Sequence, residues 1–290
     1  MGDSKQYKVF RVINFLIMIL VIVLTLYPFL YVLAESFSSE KYIMKGMVSI
    51  IPRGFTTQTY HVVMKEKDFW IEYKNTIIYT VLSTIVSLFL TSILAYALSK
   101  KRLKGRSFFL AAAMFTMFFS GGIIPNYVVV KALGMRNTIW AIVIPGAIST
   151  YNMIIMKTFF EGLPNELEEA ASVDGLNTYG IIFKIVLPLS KPIMATMTLF
   201  YAVGMWNSWF PAFLYLDNKK LFPVTLYIRN IIAGTQTTAE NSGSNSEALS
   251  QVAATIKSAS IILSVLPILC VYPFVQKYFV TGVMIGSVKG

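Results

Sequence analysis

The 290-residue chain carries a formal charge of +11, yet only 13% of its residues are charged while 56% are hydrophobic, and mean hydropathy is +0.64. A soluble domain holds about 25% charged residues, so composition excludes that class and points to a chain solvated by lipid. The positive charge is spread along the sequence rather than gathered in one tract, which excludes a nucleic-acid footprint.

Six stretches lack Asp, Glu, Lys and Arg: 12–34, 75–99, 107–130, 137–156, 193–216 and 258–276. Each supplies roughly the 20 residues that a helix rising 1.5 Å per residue needs to cross a bilayer core. The expectation is an all-α polytopic membrane protein with six transmembrane helices and both termini on one side. Lys5, Lys8 and Arg11 precede the first span as in a signal peptide, and Val32-Leu33-Ala34 resembles a cleavage site. Its apolar run exceeds the roughly 7 to 15 residues of a signal core, so it reads as an uncleaved anchor. Gln6 stands where N-myristoylation requires Ser or Thr.

Residues 35–74 read as an external loop with a Pro52-Arg53-Gly54 turn, and Trp70 and Tyr73 suit an interfacial belt. Lys100, Lys101, Arg102, Lys104 and Arg106 fill the next short loop without an acid. With the N-terminal cations, that cluster places both termini, loop 100–106 and segment 157–192 in the cytoplasm. In the third span Gly121-Gly122 and Pro125 predict a break at the outer end, leaving 123–136 as a short interfacial element. Pro145-Gly146 predicts an irregularity in the fourth span. Residues 217–257 form a second external loop, whose TQTTAENSGSNSE tract has no apolar face to pack. Cys270 reads as an apolar filler in the last span, and His61 lies in a polar loop, so neither a disulfide nor a metal site is expected. With no Walker-type glycine loop, the chain is not expected to bind nucleotide.

Five of the 14 acids fall between Glu161 and Asp174. The segment can begin a helix with Asn165 as cap and Glu168 three residues on, and the helix dipole favours Glu166, Glu168 and Glu169 in its first turns. Ala170 and Ala171 permit close approach of another surface, and Gly175 suits the left-handed position that ends a helix. A second helix restarts near Asn177 with Ile181, Ile182, Ile185 and Val186 on one face, until Pro188 and Pro192 lead into the fifth span. On composition this is either a solvated loop or a helix that docks in a partner's groove.

Glu169-Ala170-Ala171, Asp174-Gly175, Pro188-Leu189 and Pro192 resemble the EAA motif of ABC importer permeases. The likeness extends over residues 75–100 and 119–160, the latter similar to the branch importing oligosaccharides and polysaccharide fragments. The ending QKYFVTGVMIGSVKG resembles the tail of the second permease in maltose-type transporters. The resemblance implies an anchor span and external loop over 1–74 and a permease core over 75–290. Within that core lie a coupling segment at 161–192 and a cytoplasmic tail at 277–290. It implies that Glu169, Ala170, Ala171, Asp174 and Gly175 fit a cleft of a separate ATPase homodimer, which binds ATP and Mg. Gln276, Gly282, Gly286 and Gly290 would reach between the ATPase subunits. A second homologous permease, an extracellular solute-binding protein and the lipids of a bacterial cell membrane complete the expected partners.

A sugar path needs polar groups and flat aromatic faces. Trp206, Asn207, Trp209, Tyr215, Asn152, Asn126 and Tyr127 are the candidates, and amides at membrane depth should face protein or a cavity. The opposing reading makes the Trp side chains headgroup anchors and the Asn side chains helix–helix glue. An acidic, uronate-type cargo would be favoured by cations in the pore, but the six stretches contain none. A membrane enzyme would need acid, His or Ser constellations that are missing. A receptor would predict a larger cytoplasmic domain.

Overall fold

The computed structural model describes residues 5–241, 255–271 and 273, and no strand occurs among them. The chain divides into two compact units, one holding residues up to Trp70 with Ile228–Leu266, the other Ile71–Tyr227 with the residues from Pro267.

The first unit opens with α1 (Lys5–Ser36), a helix of 32 residues. None of its most apolar 18-residue window is buried, so it is apolar on all sides and offers that surface to lipid or to another subunit. The following residues hold α2 (Glu40–Met44) and α3 (Gln58–Lys65). The expected turn is present: Gly54 has φ +63°, and Arg53 N–H donates to Ser38 Oγ at 3.0 Å. A side chain at Gly54 would strike Ser39 Oγ, so glycine is required there on two counts. Phe37 stacks on Phe55 with ring centroids 5.5 Å apart.

The second unit is organised by α4 (Lys67–Ser99), which with α1 is one of two continuous helices among the described residues that are long and apolar enough to cross a bilayer. Its residues Ala95, Tyr96 and Leu98 join a core completed by Met153, Met156 and Phe160 of α8 (Thr150–Glu161) and by Ile193, Met197 and Tyr201 of α12 (Lys191–Trp206). Tyr79, near the other end of α4, packs with Ile142, Ala212, Leu216 and Leu226.

Breaks dictated by local chemistry separate the shorter helices. Gly122, with φ +84°, sits between α5 (Arg106–Phe118) and α6 (Ile123–Ala132), which bend by 117°. The expected interruption at Pro145-Gly146 divides α7 (Trp140–Val143) from α8. Between α8 and α12 come α9 (Asn165–Val173), α10 (Thr178–Ile181), a π-turn at Ile182–Val186 and α11 (Leu187–Leu189). The helical stretch Thr178–Leu189 meets α12 at 86°. Each bent pair, α5 with α6 and Thr178–Leu189 with α12, has the composition of a span when taken together.

Two expectations need correction. The stretch 193–216 is not one helix: α12 stops at Trp206 and α13 (Phe210–Tyr215) follows. Pro211 explains the stop, because it has no N–H for the Asn207 carbonyl and its ring would collide with it. Residues 217–257 are not loop throughout, since α14 runs Val224–Asn241 and takes in the first part of the polar tract. Val224 and Leu226 are buried and anchor the first turn of that helix, and each residue added to a formed turn gains a bond at low entropic cost. Thr255–Val271 forms the last helix among the described residues, α15, and the remainder of the expected sixth span, 258–276, lies largely outside them.

Candidate coupling surface and transport path

The acidic segment folds as α9, flanked by two devices readable in its residues. Its carboxylates occupy the end where the helix dipole is positive, and Ala170 and Ala171 are strong helix formers. At the C-terminus Gly175 adopts φ +82°. Gly175 N–H donates to Ser172 O at 3.1 Å and Leu176 N–H to Ala171 O at 3.0 Å, the paired closure of a Schellman motif. The next helix starts where expected, with Asn177 Oδ1 accepting from Gly180 N–H at 2.8 Å.

The start of α9 differs from the expectation. Pro164 is the cap and Asn165 is the first helical residue. Glu168 does not reach back to the helix start. Its Oε1 pairs with Lys100 Nζ at 2.5 Å and its Oε2 accepts from Tyr96 Oη at 3.0 Å. The Lys100 ammonium also lies 4.6 Å from the centroid of the Tyr96 ring. Glu161, the last residue of α8, pairs with Lys157 at 2.8 Å and with Arg106, whose Nε donates to Leu98 O at 2.8 Å. Two acids of the dense cluster thus face not bulk water but the basic loop that follows α4.

This pairing gives α9 two faces. Glu168 and Ala171, three residues apart and therefore neighbours on one side, turn toward the chain's own core. Glu169, Ala170, Asp174 and Gly175 are exposed, as is Val173, with 87% of its surface open. The two alanines of the motif therefore separate: Ala170 is presented outward, and Ala171 packs in the core with Tyr96 and Phe160.

The candidate path residues occupy three settings. Trp206 is buried, meeting Tyr73 edge-on with centroids 5.9 Å apart. Beside it lies a cavity of about 170 Å³ bounded by Thr80, Ala202, Val203 and Pro267, almost wholly apolar. Ligand pockets span roughly 300–1,000 Å³, so an oligosaccharide does not fit there in this conformation. Asn207 is exposed and its Nδ2 donates to Val203 O at 3.0 Å, while Trp209 meets Phe210 edge-on. Tyr127 and Tyr215 are brought together and stack at 6.2 Å, with the Arg136 guanidinium 5.9 Å from the Tyr127 ring and ion-paired to Asp217. Asn126, one residue before Tyr127, is exposed, and Asn152 is buried at the start of α8, its N–H directed at Ser149 Oγ. Gln276, Gly282, Gly286 and Gly290 lie outside the described residues.

Sequence reasoning passed over the hydroxyls of α4. Thr76, Thr80, Thr84, Ser87 and Thr91 recur every three or four residues, and that spacing was the available signal. Thr76 Oγ1 accepts from Val224 N–H at 2.8 Å, and Thr91 Oγ1 bonds Tyr201 Oη at 2.7 Å. Thr80, Thr84 and Ser87 bury hydroxyls that find no partner among the described residues.

Residues 106–285 match the family described as the binding-protein-dependent transport system inner membrane component. The chain belongs to this family. It is a permease subunit of an ABC importer and a membrane protein. The permease is 43% identical to protein LplC of Bacillus subtilis (strain 168) over 290 residues, covering 100% of this chain and 98% of the relative. It is 42% identical over 266 residues to the polygalacturonan/rhamnogalacturonan transport system permease protein YtcP of the same organism, covering 91% and 92%. Its structure is similar, with TM-score 0.85 and 34% identity, to a chain in the crystal structure of a bacterial ABC transporter involved in import of the acidic polysaccharide alginate. That likeness covers 96% of this chain and 99% of the other.

Proposed function

We propose that this permease is one of two unlike membrane subunits of an importer for oligosaccharides, crossing the bacterial cell membrane six times with both termini in the cytoplasm. An extracellular binding protein delivers the sugar, and an ATPase dimer, which binds ATP and Mg, docks on α9. The observation that supports this joint is the outward face of α9: Glu169, Ala170 and Val173 are held off the core by the inward pair Glu168 and Ala171. A helix with one face anchored and a small-residue face free has the form of a helix-in-groove ligand. Asp174 and Gly175 end it, and the tail from Gln276 is assigned to the ATPase by its likeness to maltose-type permeases alone.

Among oligosaccharides, the acidic class is favoured. One relative is named for polygalacturonan and rhamnogalacturonan and the structural neighbour for alginate, and all three polymers contain uronate. Arg136, above the Tyr127–Tyr215 stack, supplies a cation beside aromatic faces outside the uncharged stretches.

Affinity purification of the tagged permease from its native membrane in mild detergent, with mass spectrometry of stoichiometric partners, tests the assembly. Recovery of an ATPase and a related permease is expected. Recovery of the chain alone, or as a homo-oligomer, overturns it. Uptake of labelled oligogalacturonides against neutral xylo-oligosaccharides tests the cargo class, and preference for the neutral probe rejects the acidic reading.

A further inference from the structure

The coupling segment could have hung from the bundle by its two flexible ends. Instead it is tied at two points to the last turns of α4 and the loop beyond. One tie is Arg106, which bonds the Leu98 carbonyl at the end of α4 and the Glu161 carboxylate at the end of α8. It holds the chain at Glu161, four residues before α9 begins at Asn165. The other tie is within α9 itself, where Glu168 takes Lys100 on one oxygen and Tyr96 on the other. The side chains of Lys100 and Glu168 are only 17% and 14% exposed. A pair so shielded from water is screened less than a surface pair and holds one geometry. Lys100 is further confined by the Tyr96 face, leaving few rotamers open to it.

These ties fix a rotation. A helix turns 100° per residue, so Glu168 anchored inward sends Glu169 and Ala170 outward and brings Ala171 back to the core. Ala171 alone does not set this, because a methyl group is non-directional and Ala170 fits the same contact. The directional bond is the one from Glu168.

We propose that Glu168, with Lys100 and Tyr96, is a positioning joint: it sets which face α9 presents and makes α9 move as one body with the end of α4. The proposal rests on α9 being the ATPase-docking element. Glu168 acts through the helix it orients and does not itself touch the ATPase.

A charge-swap cycle on the purified complex of permeases and ATPase in lipid nanodiscs tests it, with ATPase recovered per permease and ATP hydrolysis as the two readouts. Lys100→Glu or Glu168→Lys alone is expected to lower kcat for ATP hydrolysis about tenfold while the ATPase recovered and the KM for ATP stay within twofold of wild type. Lys100→Glu combined with Glu168→Lys restores kcat to within about threefold, and the milder Glu168→Gln falls between. Single variants that hydrolyse like wild type, or a double variant no better than the singles, overturn the joint. Loss of the ATPase from Glu168→Gln also overturns it, by making Glu168 a direct contact. A wild-type complex that itself lacks an ATPase overturns the docking assignment as well, an outcome distinct from the others.

Discussion

Lys100–Glu168 and Arg136–Asp217 are both cation–carboxylate pairs in the second unit, yet their settings differ. The first has side chains 17% and 14% exposed, the second 40% and 60%. They stand at opposite ends of α4. Asn75 Nδ2 donates to Lys220 O beside the Asp217 loop, while Tyr96 and Lys100 hold Glu168. Asn75 and Ser99 are about 36 Å apart along the helix, more than the roughly 30 Å of a bilayer core. One end is therefore built on a shielded pair that joins α9 to the end of α4. The other relies on hydrogen bonds, including Tyr79 Oη to Leu221 O at 2.6 Å, with its ion pair at the rim. The contrast shows that ion pairs of like distance do unlike work once burial is compared.

The largest effect is expected at the shielded pair. Lys100→Ala leaves the Glu168 carboxylate with Tyr96 but without its counter-charge. Breaking a buried pair costs about 3–5 kcal/mol, and with these groups slightly open to water about 2–3 kcal/mol is expected. Thermal unfolding of the complex in detergent, followed by tryptophan fluorescence, should fall by several degrees. A change as small as that of Arg136→Ala breaks the comparison.

Much of this end was legible in sequence, and its essential bond was not. Gly175 announced the stop of α9 and Asn177 the restart, because each acts on backbone groups within a few residues. Gly121-Gly122 and Pro145-Gly146 likewise marked real breaks. The Glu168–Lys100 bond joins residues 68 apart, and local pattern assigned Glu168 to a capping box that does not form. The five cations of loop 100–106 read as a topology signal, and nothing within the loop said that Lys100 and Arg106 have carboxylate partners. The same limit hid the aromatic pair Tyr127–Tyr215, since each residue was a candidate alone and only tertiary packing stacks them. Pro211 was in plain view as the reason for the stop after Trp206, but the uncharged run from 193 to 216 masked it.

Where α12 meets α4 at Thr91, Tyr201→Phe sharpens the comparison with neutral groups. It removes the partner of Thr91 Oγ1 and the acceptor of Ser149 N–H at 3.2 Å. Two hydrogen bonds at about 0.5–1.5 kcal/mol each predict a loss centred on about 2 kcal/mol, at or below that of Lys100→Ala and above that of a single bond. Tyr79→Phe, which deprives only Leu221 O, should lower stability by about 1 kcal/mol. Reversal of that order in the same unfolding assay would show that the aromatic packing, not the hydroxyl, holds each site.

The smallest effect is expected for Arg136→Ala. An exposed pair contributes about 0.2–1 kcal/mol, and the contact with the Tyr127 face adds a similar amount at an exposed site. Salt separates the two contributions. Raising ionic strength from 0.1 to 1 M shortens the screening length from about 10 to about 3 Å, which should remove most of the pairing with Asp217. The stacking on Tyr127 depends on van der Waals contact as well as charge and persists in part. The wild-type minus Arg136→Ala difference in unfolding temperature should therefore shrink in 1 M NaCl without vanishing, whereas the wild-type minus Lys100→Ala difference should hardly move. If both differences collapse together in salt, the Lys100–Glu168 pair is open to solvent. A bond so open lacks the shielding that lets it fix the rotation of α9.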